Sequence, residues 1–254
     1  MKIYGFRWTV SLIFIFGSIS CAANLEMQKK QANASRNLGE AYYRQGNYPE
    51  ALGKFLKSEK IYSGDPFLQN DLGLTYMAMK KMDLAVKHFK KAIEIKPDYA
   101  PAMNNLGTAY LNMKEWDAAI RYFKKVTENL VYATPHFPLS NMGWAYYNKK
   151  AYALAEAYYL KALEIDPKFI NALAGLGKTY TAMGRGSEAV ATLKKAVKDY
   201  PRSGQLYLEL ARAYIVLGEY EKALIAYDKA MEFAPNSALA REAETEAQKI
   251  RKFR

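Results

Sequence analysis

One cysteine and two histidines are all that 254 residues offer to thiolate and imidazole chemistry. A lone cysteine closes no internal disulfide, and so few Cys and His donors cannot assemble a zinc or iron–sulfur site with several such ligands. Ser–His and Cys–His nucleophilic arrangements have equally little to draw on. Neither G-x-x-x-x-G-K-[ST] nor G-x-S-x-G occurs, and Gly184-Arg185-Gly186 follows no strand pattern and reads as a turn between helices. Glu94, Asp98, Glu164 and Asp166 fall in connecting turns, where they suit helix ends and solubility better than a glycosidase pair. His88, beside Phe89 in a helix, and His136, in a loop, are both expected at the surface. The expectation is a non-enzymatic chain with no cofactor, no metal and no small-molecule substrate.

The amino end has a distinct charge pattern of its own. Lys2 and Arg7 precede ten uncharged residues, Trp8 to Gly17, and small residues then lead to Cys21. This is the pattern of a secretory signal over 1–20. From Trp8 to Ser20 the uncharged stretch spans roughly 20 Å as a helix, short of the roughly 30 Å hydrocarbon core, which disfavours a permanent transmembrane helix. Ser18-Ile19-Ser20-Cys21 resembles the lipobox of bacterial lipoproteins, although Ser18 stands where leucine is usual. The resemblance implies a lipidated Cys21, with ordinary cleavage nearby as the alternative. Ala22, rather than aspartate, after the cysteine implies the outer membrane, with the chain facing the periplasm. Loss of Lys2 and Arg7 lowers the formal charge from +12 to +10, spread along the chain with no run that points to nucleic acid.

What is abundant is self-similarity. Gly39, Gly73, Gly107, Gly143, Gly177 and Ala211 are spaced by 34, 34, 36, 34 and 34 residues. Each is followed three residues later by Tyr42, Tyr76, Tyr110, Tyr146, Tyr180 and Tyr214, and after twelve by Ala51, Ala85, Ala119, Ala155, Ala189 and Ala223. Four further on stand Phe55, Phe89, Phe123, Tyr159, Leu193 and Tyr227, and Pro97, Pro167, Pro201 and Pro235 close four of the units. Within a unit the apolar positions recur at helical spacing, so each is read as two amphipathic helices and no strand. Small residues on the first helix let the second approach closely, and the aromatics fill the space beside them.

This pattern resembles the tetratricopeptide repeat. The fold implied is all-α, a right-handed α-superhelix (solenoid) of six repeats, because a helix pair of this size buries its apolar face only by stacking on neighbours. The repeats are placed at 32–65, 66–99, 100–133, 136–169, 170–203 and 204–237. They follow a lipidated N-terminus and polar tether over 21–31 and precede a capping helix over 238–254. The basic end of that helix, Lys249, Arg251, Lys252 and Arg254, is a solvated helix terminus or a contact for anionic lipid or an acidic partner.

In such proteins the first helices line a concave groove, and the residue before the Leu-Gly pair presents an amide to a bound peptide. Here that row is Asn37, Asp71, Asn105, Asn141, Gly175 and Glu209. Asparagine can satisfy both C=O and N–H of an extended peptide, or bond its own neighbours instead. On the same face come Phe67, Leu74, Met77, Leu111, Phe137, Trp144 and Tyr147, an apolar and aromatic strip suited either to a partner or to packing. Lys178 and Arg212 follow towards the carboxyl end, opposite Glu40, which suggests an acidic segment lying over repeats 5 and 6.

The irregular junction Asn129-Leu130-Val131-Tyr132-Ala133-Thr134-Pro135-His136 is similar to the corresponding break in the type IV pilus pilotins, the PilF, PilW and Tgl group. It departs from them in Ala133-Thr134, where a proline commonly follows the tyrosine. That resemblance implies an outer-membrane lipoprotein that helps a secretin subunit to localise and multimerise. An adaptor lipoprotein for peptidoglycan hydrolases or proteases, similar to NlpI, is the alternative.

Overall fold

A computed structural model describes the backbone of residues 6–128 and 133–252, and side chains from residue 24 onward within those limits. Among the described residues there are thirteen helices and no strand. In chain order they are α1 Phe6–Arg44, α2 Tyr48–Ile61, α3 Pro66–Ala78, α4 Met82–Ile95, α5 Ala100–Asn112, α6 Trp116–Thr127, α7 His136–Asn148, α8 Tyr152–Ile165, α9 Ile170–Ala182, α10 Gly186–Asp199, α11 Gly204–Val216, α12 Tyr220–Phe233 and α13 Ala238–Lys252. The chain divides into two compact units, Met1–Ala109 and Tyr110–Arg254.

In each unit the repeat residues form the core. Ala51, Ala85, Ala119, Ala155, Ala189 and Ala223 are fully buried, as are the larger side chains four residues on, from Phe55 to Tyr227. Glycine on the first helix makes room for these side chains at several repeats, while the sixth has buried Ala211 at the same position. A Cβ added to Gly73 would stand 2.4 Å from the Phe89 ring, and one on Gly177 would stand 2.5 Å from Leu193. Tyr159 of α8 is enclosed from two sides, 2.8 Å from a Cβ built on Gly143 of α7 and 2.3 Å from one built on Gly175 of α9.

The turn inside each repeat is built the same way. The residues at Gly46, Lys80, Lys114, Lys150, Gly184 and Gly218 all take a left-handed backbone, φ between 59° and 76°. The next N–H reaches back to the carbonyl of the repeat tyrosine, as in Lys81 N to Tyr76 O at 2.8 Å and Arg185 N to Tyr180 O at 2.9 Å. This Schellman arrangement satisfies carbonyls that the helix end leaves open. Glycine suits it, yet three of the six repeats use lysine.

Three sequence expectations change. The segment 22–31, read as a tether, is helical and continuous with the first repeat helix, since Ala22-Ala23-Asn24-Leu25-Glu26-Met27-Gln28-Lys29-Lys30-Gln31 is mostly strong helix former. His88 is buried: Nδ1 lies 2.8 Å from Gln69 Oε1, and the ring stacks on Tyr76 at 5.2 Å. The Gln69 amide donates to Glu59, so its carbonyl oxygen accepts from the imidazole, and burial lowers the His88 pKa. His136 opens α7 and is half-buried against Phe137 and Phe169, with ring centroids 4.5 and 4.9 Å away. A polar face within a helix pair gave no periodic signal, so both histidines read as exposed.

No helix among the described residues is long and apolar enough to cross a membrane. The side chain of Cys21, residues 129–132 of the irregular junction, and Arg254 lie outside the described residues. Helix α13 buries Ala243 and Ala247 against the preceding helices, and its basic end is paired locally, Lys249 with Glu246 and Arg251 with Asp228.

Candidate functional site: an amide and aromatic pocket

The first-helix faces carry the candidate residues, and helical periodicity explains why. Positions four before and three after the row residue share its face. In the amino-terminal unit that face is organised around Arg36. Its guanidinium reaches Asp65 and Asp71 at 3.0 Å each and Glu40 at 2.9 Å, and it lies 5.5 Å from the Phe67 ring. Three carboxylates converge on this one guanidinium, and Glu40 is also paired with Arg44 at 3.2 Å. Burial, with Glu40 and Asp65 adding to it and Arg36 opposing, pushes Asp71 up to about 7. Phe67 is half-exposed, packs edge-on against Tyr99 at 5.2 Å and has the Lys96 ammonium 5.5 Å away.

The amide row is not uniform here. Asn37 is exposed, whereas Asn105 donates to Asn70 Oδ1 at 2.9 Å, so its amide is already engaged by a neighbouring side chain. Asp71 belongs to the Arg36 cluster rather than to an open row. Leu74 is half-buried and lines a pocket of about 160 Å³ with Glu40, Tyr43 and Phe55, and Met77 is half-buried beyond it.

The carboxy-terminal unit holds a better-formed site. A pocket of about 240 Å³ is lined by Ser140, Asn141 and Trp144 of α7, Tyr159 of α8, Asn171, Gly175 and Lys178 of α9, and Gln205 and Glu209 of α11. Trp144 is 39% exposed and its indole lies parallel to the Tyr147 ring at 5.8 Å. The Lys178 ammonium sits over both rings, 4.9 and 5.0 Å from their centroids, held by attraction to the ring faces. Gly175, lacking a Cβ, admits the Tyr159 ring to the floor.

At the inner end Glu209 is only 2% exposed. One carboxylate oxygen, Oε1, accepts from Arg212 at 2.8 Å, and the other, Oε2, is buried with no hydrogen-bond partner. Burial raises its pKa, opposed by the charges of Arg212 and Lys178. Arg212 is also paired with Glu242 of α13. The positive charge expected to await an acidic segment at Arg212 is therefore neutralised from within, by two glutamates. Leu111 and Phe137 lie on the same unit, the first half-buried and the second half-exposed against Phe169 at 5.0 Å.

Sequence reasoning placed Asn141, Trp144, Tyr147 and Lys178 on this face and Glu209 in its row, but did not select Asn171 or Gln205. The position that supplied Phe67 and Phe137, four residues before the row, supplies Asn171 and Gln205 in the next two repeats. Their register was legible and their chemistry was passed over.

Models of the tetratricopeptide repeat match residues 22–66, 67–130, 138–169 and 175–238. The solved structure of PilW, a widely conserved type IV pilus biogenesis factor, is similar with a TM-score of 0.76 at 23% identity, over 83% of this chain and 97% of that one. PilF of Pseudomonas aeruginosa gives 0.72 at 17% identity, over 86% and 99%. These likenesses are of fold. Anaphase-promoting complex subunit 3 of Schizosaccharomyces pombe is 31% identical over 83 residues, which is 33% of this chain and 12% of that protein's length. Repeat spacing, buried alanine and glycine seams and family matches over most of the length agree: the chain belongs to the tetratricopeptide repeat proteins.

Proposed function

We propose that the chain is a non-enzymatic protein-binding scaffold, exported and lipid-anchored through Cys21 at the outer membrane. There it acts as a pilotin that helps a secretin subunit to localise and multimerise for type IV pilus biogenesis. The observation that carries the binding role is the pocket between Trp144, Asn141 and Glu209, an aromatic and carboxamide surface on rigid helices. Support for type IV pilus biogenesis comes from the fold likeness to PilW and PilF over nearly their full lengths, and the secretin is what the resemblance of the junction before α7 implies. Support for the anchor is the lipobox-like Ser18-Ile19-Ser20-Cys21.

The test is recovery of secretin subunits on the tagged protein from detergent-solubilised envelopes. Trp144→Ala should weaken capture by about 2 kcal/mol or more, roughly thirtyfold in dissociation constant, while heat-resistant secretin multimers decline in cells. Asn141→Ala should cost less, on the order of 1 kcal/mol, because its partners turn partly to water. Lys195→Glu, on the exposed side of α10, should change nothing. Recovery of peptidoglycan hydrolases in place of secretin would overturn the pilotin reading. Labelling with a palmitate analogue should mark the wild type and not Cys21→Ser; label surviving that change excludes the anchor.

A further inference from the structure

We infer that the pocket of the carboxy-terminal unit selects an uncharged carboxamide, the side chain of an asparagine or glutamine in an extended partner segment. The inference rests on the proposed binding role of this face and adds to it the chemistry that is read.

The selection follows from charge balance and from one unmade hydrogen bond. Glu209 lines the pocket, and its Oε2 is buried and unpartnered, which is costly to leave in a folded protein; a turn of the side chain towards the pocket would expose that oxygen to a donor. A ligand N–H or O–H brought to that oxygen would complete the carboxylate's bonding and favour its ionised form. A cation would supply one, but Lys178 lines the same pocket and Arg212 already binds the other oxygen of the same carboxylate. With Glu242 on Arg212, the four formal charges sum to zero, so the pocket has no net charge to draw in a cation. An anion is disfavoured by the bare Oε2. A neutral group with a donor and an acceptor side by side fits both demands: its NH₂ donates to Glu209 Oε2, and its carbonyl accepts from the Lys178 ammonium or the Gln205 amide. The indole of Trp144 then covers the methylene stem, excluding water from the bond it closes. Unlike contacts to a peptide backbone, this one depends on the side chain and so distinguishes one segment from another.

A random peptide library displayed on phage, selected on the purified full chain and counter-selected on Trp144→Ala, tests the idea directly. Trp144-dependent sequences should carry Asn or Gln at one position, enriched about tenfold over the starting library, the size expected for one hydrogen bond to an ionised acceptor. Replacing that residue by Ala in a synthetic copy should raise Kd about tenfold on the wild type. On Glu209→Gln the same replacement should cost less than about threefold, and this coupling separates direct contact from a general loss of fold. Should Glu209→Gln not fold, Gln205→Ala on the rim serves as the second variant, with a smaller penalty for the peptide replacement than on the wild type. Enrichment of Lys, Arg, Asp, Glu or purely apolar residues at the Trp144-dependent position overturns the carboxamide reading and leaves the binding role standing. A library that yields no Trp144-dependent sequence overturns both.

Discussion

At the scale of single residues, the three lysines in left-handed turns are the plainest departure from what the backbone prefers. A side chain there costs about 1–2 kcal/mol relative to an unstrained conformation, so Lys80→Gly, Lys114→Gly and Lys150→Gly should each stabilise the protein by about 1 kcal/mol in urea titration. The same change at exposed Lys87, inside α4, should instead destabilise by a similar amount. Asp71 makes a second residue-scale test. Its folded pKa of about 7 lies above the unfolded value of 3.8, so the fold prefers the neutral acid. The contribution is fully present below the unfolded pKa, is lost as pH rises towards 7, and is level beyond. Asp71→Asn removes this dependence, and its stability relative to the wild type should grow by about 2–4 kcal/mol between about pH 4 and pH 7, whatever fixed offset the lost Arg36 contact adds. A difference that stays flat across that range would mean Asp71 remains ionised beside Arg36. The row residue Asp71 was visible in the sequence, but Arg36 of α1 and Asp65 at the start of α3, which act on its state, share no periodic position with it.

Single helices show where pattern reading succeeds. The alanine, glycine and tyrosine positions sit on one seam because both helices of a pair repeat their contacts every 34 residues, and such periodicity is legible without coordinates. Enlarging that seam should be expensive: Ala119→Leu, fully buried beside Phe123, is expected to cost about 1–3 kcal/mol in a urea titration. The polar contents of a seam carry no such period. Gln69, His88 and Glu59 form one chain of hydrogen bonds across α2, α3 and α4, and nothing in their spacing announces it. The same holds for Glu209, whose place in the row was evident while its burial and its link to Arg212 were not. Amides and carboxylates in first helices look alike in a sequence, and only the neighbouring helix decides which remains open.

For the molecule as a whole, stability passes between neighbours. Helix α13 covers the last repeat through Ala243 and Ala247 and holds Arg212 through Glu242. Removing residues 238–252 should raise amide exchange first in α11 and α12 and leave α2 to α4 unaltered, since stacked repeats are coupled chiefly to those beside them. Uniform loss of protection would show a single cooperative core instead. The same neighbour coupling has a dynamic counterpart in Tyr159, whose ring is pressed between the bare backbones at Gly143 and Gly175. A ring so confined can turn about its axis only when α7 and α9 part together. Its half-rotation thus becomes a clock for the momentary separation of two repeats, and its paired aromatic protons should give separate resonances at temperatures where the freer ring of Tyr220 has already averaged to one.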